Sequence, residues 1–142
     1  MKKIVLGALG ALLVVTGCAN RETTCEAFRE TFKQDKVMFA QNKADLTPES
    51  KQVLDKQIAW LKENPNKNVI VQGYTDPTGL TAHNWKLGME RAESVKAYFV
   101  ENGINPNRVS VVSFGERDLA STKNTPQSRK LDRRAVTVIV TE

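Results

Sequence analysis

A twelve-residue apolar run near the start of this chain decides which residues are left to build a fold. Residues 4–15 (IVLGALGALLVV) follow a short positive head, Lys2 and Lys3. The run has the length of a secretory h-region and falls short of the roughly 20 residues a helix needs to cross a bilayer. It therefore reads as an export signal. Removing residues 1–17 leaves residues 18–142, which is 125 residues, enough for one domain of ordinary size with its own core. The formal charge falls from +5 to +3 when Lys2 and Lys3 go. The remaining basic residues are scattered, so nucleic acid is not an expected partner.

Val15-Thr16-Gly17-Cys18 closes the run and resembles the bacterial lipobox, where cleavage precedes a cysteine whose thiol is diacylated. Cys18 is thus the expected lipidation site. Each buried methylene contributes about 0.8 kcal/mol, so two or three acyl chains hold a protein at a membrane almost permanently. Ala19 after that cysteine, by resemblance to sorting rules, favours the periplasmic face of the outer membrane. Cys25 is then left as an odd thiol in an oxidising compartment, either inert or paired between molecules. Residues 18–36 are polar and read as a lipidated tether, in which Phe28 and Phe32, four apart, would give a short helix a small apolar stripe.

From Val37 onward, strand and helix signals alternate. Val37-Met38-Phe39 is a short strand. Thr47-Pro48-Glu49 opens a helix, with Thr as cap, Pro at the first helical position and an acid in the first turn. Val53, Leu54, Ile58 and Leu61 make its apolar stripe, and Asn64-Pro65-Asn66 ends it. Val69-Ile70-Val71 starts a second strand, reaching about Tyr74, whose composition suggests burial on both faces. After the loop TDPTGLT a long helix spans residues 81–101 and stops at Asn102-Gly103. Residues 109–114 form a third strand. A polar loop and a short segment to Arg134 precede the last strand at residues 135–140. The order β-α-β-α-β-β predicts an α+β domain over residues 37–142, a small mixed four-stranded sheet with helices packed on one face.

The chemistry gathers where the second strand meets the long helix. At 100° per residue, Trp85, Gly88, Ala92, Val95 and Phe99 share the face expected to pack on the sheet. Asn84, Leu87 and Arg91 fall on its flank, nearest the loop that carries Asp76. An arginine at such an edge can bury its stem and hold its guanidinium in a cleft. Asp76 and Arg91 are then either two walls of one crevice or a surface ion pair, which is typically worth 0–1 kcal/mol.

The segment GYTDPTGLTAHNWKLGMERAESVKAYFVENGI, with VMFAQNKADLTPES, VSVVSFGE and DRRAV in the same order, resembles the OmpA-like peptidoglycan-binding domain. The resemblance covers about residues 37–140 and extends to the lipid-anchored, peptidoglycan-associated members of that family. It implies that the ligand is peptidoglycan, through the diaminopimelate of the stem peptide. Asp76 would take the ammonium, and Arg91 the carboxylate through a two-pronged hydrogen bond. By the same resemblance Thr75, Asn84 and Leu87 shape the pocket, Asn42 comes from the first loop, and one of Arg133 and Arg134, with Arg134 preferred, lines the rim. Asn84 is alternatively a helix cap or a brace for the loop. Departures occur at Ala40, Gln41 and Asn42, where the family often carries acidic or aromatic residues, and at Tyr74, where many members have His.

The composition argues against catalysis. His83 is the only histidine, and its position suggests a polar surface residue. No nucleophile has a recognisable partner, and two cysteines with one histidine make no convincing zinc site. The expectation is a non-enzymatic protein with no cofactor or metal, joining the outer membrane through its lipid to the wall. The alternative is an envelope scaffold of the Tol–Pal type, in which binding a periplasmic Tol-type protein outweighs binding the wall.

Overall fold

Thr47 and Pro48 begin the first helix as their chemistry requires. The Thr47 hydroxyl accepts the Ser50 amide at 3.1 Å, and Pro48 occupies a position whose N–H would have no partner. This helix, α1 (Pro48–Glu63), is one element of a computed structural model that describes residues 36–120 and 123–140. The signal run, Cys18, Cys25 and the Phe28–Phe32 stripe lie outside the described residues. The other elements are β1 (Lys36–Met38), β2 (Val69–Tyr74), α2 (Thr81–Glu101), β3 (Val109–Gly115), α3 (Pro126–Asp132) and β4 (Arg134–Ile139). One 3-10 turn, Pro106–Arg108, links α2 to β3.

The four strands form one sheet in the order β1-β4-β2-β3. β2 and β3 run parallel, and β4 pairs antiparallel with both β1 and β2. The sheet is therefore mixed, as the element order suggested. Its core is continuous: Leu54, Ile58 and Leu61 of α1 meet Val69 and Val71 of β2, Ala92, Val95 and Phe99 of α2, and Ala135 and Ile139 of β4. β2 is not buried on both faces, as its composition suggested. Val69 and Val71 are buried, whereas Ile70 and Gln72 are half-buried, and β4 alternates in the same way. Packing of α1 and α2 on one side accounts for this period of two.

Two glycines set how closely α2 approaches the sheet. A Cβ on Gly73 would lie 1.7 Å from the Gly88 carbonyl oxygen, and one on Gly88 would lie 2.4 Å from Ser113 Oγ. Only bare backbone fits on both sides of this contact, so α2 sits directly against the end of β2. With Gly88 at the contact, the buried arc runs through Asn84, Leu87, Arg91, Val95 and Phe99. It is the arc read by periodicity widened to one flank: Gly88, Ala92, Val95 and Phe99 are buried as expected, Trp85 is 52 % exposed, and Asn84, Leu87 and Arg91, expected on the flank, are buried. The widening brings three site candidates inward over the end of β2.

The segment before β4 is helical. Thr125 and Ser128 form a reciprocal capping box around Pro126, a signal of the same kind as Thr47-Pro48. At the far end of α1, Arg108 donates to the carbonyls of Leu61, Asn64 and Lys67 and so satisfies groups that the helix leaves open.

Candidate functional site

Three segments meet at the C-terminal end of β2. They are the loop after β1, the loop joining β2 to α2, and the first turns of α2. Between them lies a crevice of about 470 Å³ lined by Asn42, Thr75, Asp76, His83, Asn84 and Arg91, together with Leu87, Thr78, Gly79 and Gln41. Six of the residues anticipated from sequence (Asp76, Arg91, Asn84, Thr75, Leu87 and Asn42) are thus brought to one place.

Asp76 stands on the β2–α2 loop and is 4 % exposed. Its Oδ1 accepts the Thr78 amide at 3.0 Å and the Thr78 hydroxyl, and its Oδ2 pairs with Arg133 Nη1 at 3.3 Å. Burial works to raise its pKa. The Thr78 donors and Arg133 outweigh that and hold the carboxyl below the usual carboxylate range. Asp76 is therefore a charged acceptor at neutral pH, already steadied by its own loop.

Arg91 is the back of the crevice. Almost none of its surface reaches solvent. Nε donates to the Lys43 carbonyl at 2.8 Å, Nη1 to the Tyr74 carbonyl at 2.8 Å and Nη2 to the Ala40 carbonyl at 3.0 Å, and the guanidinium lies 5.3 Å from the centre of the Phe39 ring. Burial lowers its pKa to about 10, against the opposing pull of Asp76, so it remains a cation at neutral pH. Arg91 and Asp76 are not a surface ion pair, because the partner that Asp76 holds is Arg133. Of the five N–H groups of a guanidinium, three hold backbone, leaving one on each terminal nitrogen.

Arg133 also corrects the reading of the arginine pair. It reaches Asp76 and donates to the Phe39 carbonyl at 3.0 Å. Arg134 instead lies 4.0 Å from the centre of the Tyr74 ring and donates to the Asp118 carbonyl. Arg133 closes α3 and Arg134 opens β4, and the sequence gives no means of deciding which of the two enters the site.

Asn84 braces the loop: its Nδ2 donates to the Thr78 carbonyl at 3.0 Å and to Glu116 at 3.3 Å. It is not the helix cap, a position held by Leu80 without a side-chain bond. Thr75 is buried, with its hydroxyl on the Asp76 carbonyl. Gln41, Thr78, Gly79 and His83 are the lining residues that sequence reasoning missed. Thr78 had a signal, since Asp-Pro-Thr places a hydroxyl two residues after a carboxylate, the spacing of an Asx-type turn. His83 had none: its partner is Asn42, 41 positions away.

The arrangement offers a fixed carboxylate on one side and a cation with further N–H donors on the other. It suits a small group that carries both an ammonium and a carboxylate. Among the described residues, no group of His, Cys, Asp and Glu is placed to hold a metal ion.

Residues 38–133 match the model of the OmpA family. The chain is 33% identical to the peptidoglycan-associated lipoprotein of Pasteurella multocida over 96% of this chain and 98% of that one. It is 29% identical to the protein of the same name from Haemophilus influenzae, over 96% and 95%. Among solved structures, the peptidoglycan-associated lipoprotein of Burkholderia pseudomallei superposes with a TM-score of 0.74 at 25% identity, covering 76% of this chain and 92% of that one. The C-terminal domain of Helicobacter pylori MotB shares the fold, with a TM-score of 0.71 at 20% identity, covering 77% of this chain and 86% of that one.

Proposed function

The chain belongs to the OmpA family, and from that premise we propose that it is a non-enzymatic tether between the outer membrane and the cell wall. Lipid on Cys18 holds one end, residues 18–36 span the gap, and the crevice holds peptidoglycan at the other. The lipoprotein name of the relatives supports a lipid anchor, and Ala19 supports the periplasmic face of the outer membrane as its place. The single observation that carries the reading is the crevice itself: charged Asp76 beside the cation Arg91, both fixed by their own hydrogen bonds before any ligand arrives.

Diaminopimelate fits this chemistry because the free end of its side chain carries an ammonium and a carboxylate on one carbon. Asp76 takes the ammonium. The donor side of the crevice takes the carboxylate. No bond is made or broken, so the site works by binding alone. One such contact is modest, about 1.5–3 kcal/mol for a hydrogen bond to a charged group. Many copies facing a repeating polymer hold far more strongly through effective concentration.

The test is cosedimentation of the protein with purified sacculi. Diaminopimelate-type sacculi are expected to carry it down, and free meso-diaminopimelate to release it. Sacculi with lysine at the same place keep the ammonium but lack the carboxylate, and should leave the protein in solution. Equal retention by both types would defeat this reading.

A second reading, as a scaffold for a periplasmic Tol-type protein, draws support from Leu80 and Trp85, which are 78 % and 52 % exposed at the start of α2 beside the crevice. It would gain ground if replacing both with Ser left wall binding intact and released a protein partner.

A further inference from the structure

His83, which the sequence suggests is an ordinary surface residue, touches the crevice through one specific contact. Its Nε2 lies 2.7 Å from Asn42 Oδ1. An amide oxygen only accepts, so Nε2 carries the proton and donates. This bond joins the first turn of α2 to the tip of the β1–α1 loop, and both residues line the crevice. The loop is tied down at both ends from within, because Arg91 holds the carbonyls of Ala40 and Lys43 on either side of the tip. Asn42 itself sits at a φ of 58°, in the left-handed region that asparagine tolerates better than most residues. Its backbone is therefore fixed, and the remaining freedom is which way its amide faces.

With the imidazole in its Nε2–H tautomer, His83 settles that freedom. With Oδ1 committed to the imidazole, the group that Asn42 has left to offer the crevice is its Nδ2 donor pair. Arg91, with almost no exposed surface and three of its N–H groups on backbone, supplies charge from behind but little accessible hydrogen bonding. A ligand carboxylate entering the crevice needs an accessible donor in front of that charge. Asn42 is exposed and holds one.

We propose that His83 is a specificity-determining positioning residue: it orients Asn42 as the front donor to the ligand carboxylate, so that the crevice prefers a free carboxylate to a carboxamide at that place. This rests on the wall-binding reading above. A carboxylate offers two charged acceptor oxygens to Arg91 and Asn42. A carboxamide offers one neutral oxygen and an NH₂ that opposes the donors.

The experiment measures affinity of the full chain in detergent for two soluble muropeptides, one with free diaminopimelate and one with the same residue carrying a carboxamide. The wild type should favour the free acid by about tenfold or more, the range of a charged hydrogen bond. His83→Ala should weaken binding of the free acid by about fivefold and change the carboxamide by less than twofold, at unaltered melting temperature. His83→Gln, which can return an N–H to Asn42, should restore the preference. Asn42→Gly keeps the left-handed backbone relaxed; it should match His83→Ala, and the double variant should lose nothing more. An unchanged preference in His83→Ala, or failure of His83→Gln to rescue it, overturns the proposal. If Asp76→Asn abolishes binding while His83→Ala keeps the full preference, the wall-binding reading stands and only the role of His83 falls. If the wild type binds neither muropeptide, both fall.

Discussion

Arg91→Ala is expected to lower the melting temperature by more than about 10 °C, corresponding to roughly 3–5 kcal/mol. The side chain is wholly buried and its guanidinium holds three carbonyls from two separate segments. Truncation removes the partner of the buried Tyr74 carbonyl, at about 1–3 kcal/mol for a group left unsatisfied, and opens a cavity beside Phe39. The loop after β1 loses both anchors at once. Arg91→Lys keeps the charge but not the planar fork, so it should recover part of the stability and not all of it. Differential scanning calorimetry decides the matter, and a drop of only a few degrees would show that Arg91 is not the structural hub described above. Because Arg91 serves both fold and site, loss of wall binding in Arg91→Ala does not by itself assign a ligand contact.

Asp76→Asn separates the two roles. The amide has nearly the same shape and can still accept from Thr78, but it cannot neutralise an ammonium. Affinity for a diaminopimelate muropeptide is expected to fall by about ten- to a hundredfold, the range of one charge-assisted hydrogen bond, with the fold retained. The loss on whole sacculi should be greater, because many weakened contacts fail together. The same variant carries a pH signature. The folded carboxyl of Asp76 lies below its usual range, so its contribution to stability is present above the unfolded value near 3.9 and is lost as pH falls through the lower folded value. The melting-temperature advantage of wild type over Asp76→Asn should therefore be full above about pH 5 and shrink in stronger acid. An advantage that grows on acidification would contradict the stated electrostatics.

The elements and the site were legible in the sequence to different degrees, for physical reasons. Thr47-Pro48 and Asn102-Gly103 mark helix ends by local chemistry, and both α1 and α2 end where those residues say. The helix at Pro126–Asp132 carried the same kind of signal in Thr125-Pro126 but is short and polar, so periodicity gave it no support. The packing face of α2 was legible except at Trp85: Gly88, Ala92, Val95 and Phe99 are buried as expected, and the close Gly88–Gly73 contact extends burial to Asn84, Leu87 and Arg91 on the flank. Trp85 weighs heavily in any hydrophobic count, yet points outward. The crevice residues were recoverable because Asp76 and the start of α2 are near in sequence and their motif is distinctive. The choice between Arg133 and Arg134, and the place of His83, were not, since Arg133 and His83 meet their site partners across 57 and 41 positions respectively.

The central claim is that the crevice at the end of β2 is where the wall is held. The most direct measurement is a titration of the isotope-labelled full chain with a soluble diaminopimelate muropeptide, followed by backbone amide resonances. Shifts are expected to concentrate at Asn42, Thr75, Asp76, His83 and Asn84, the residues that enclose the crevice, and to vanish in Asp76→Asn. Saturable binding with its shifts on the half-buried face of the sheet, around Ile70, Val112 and Val136, and none at Asp76, would contradict it.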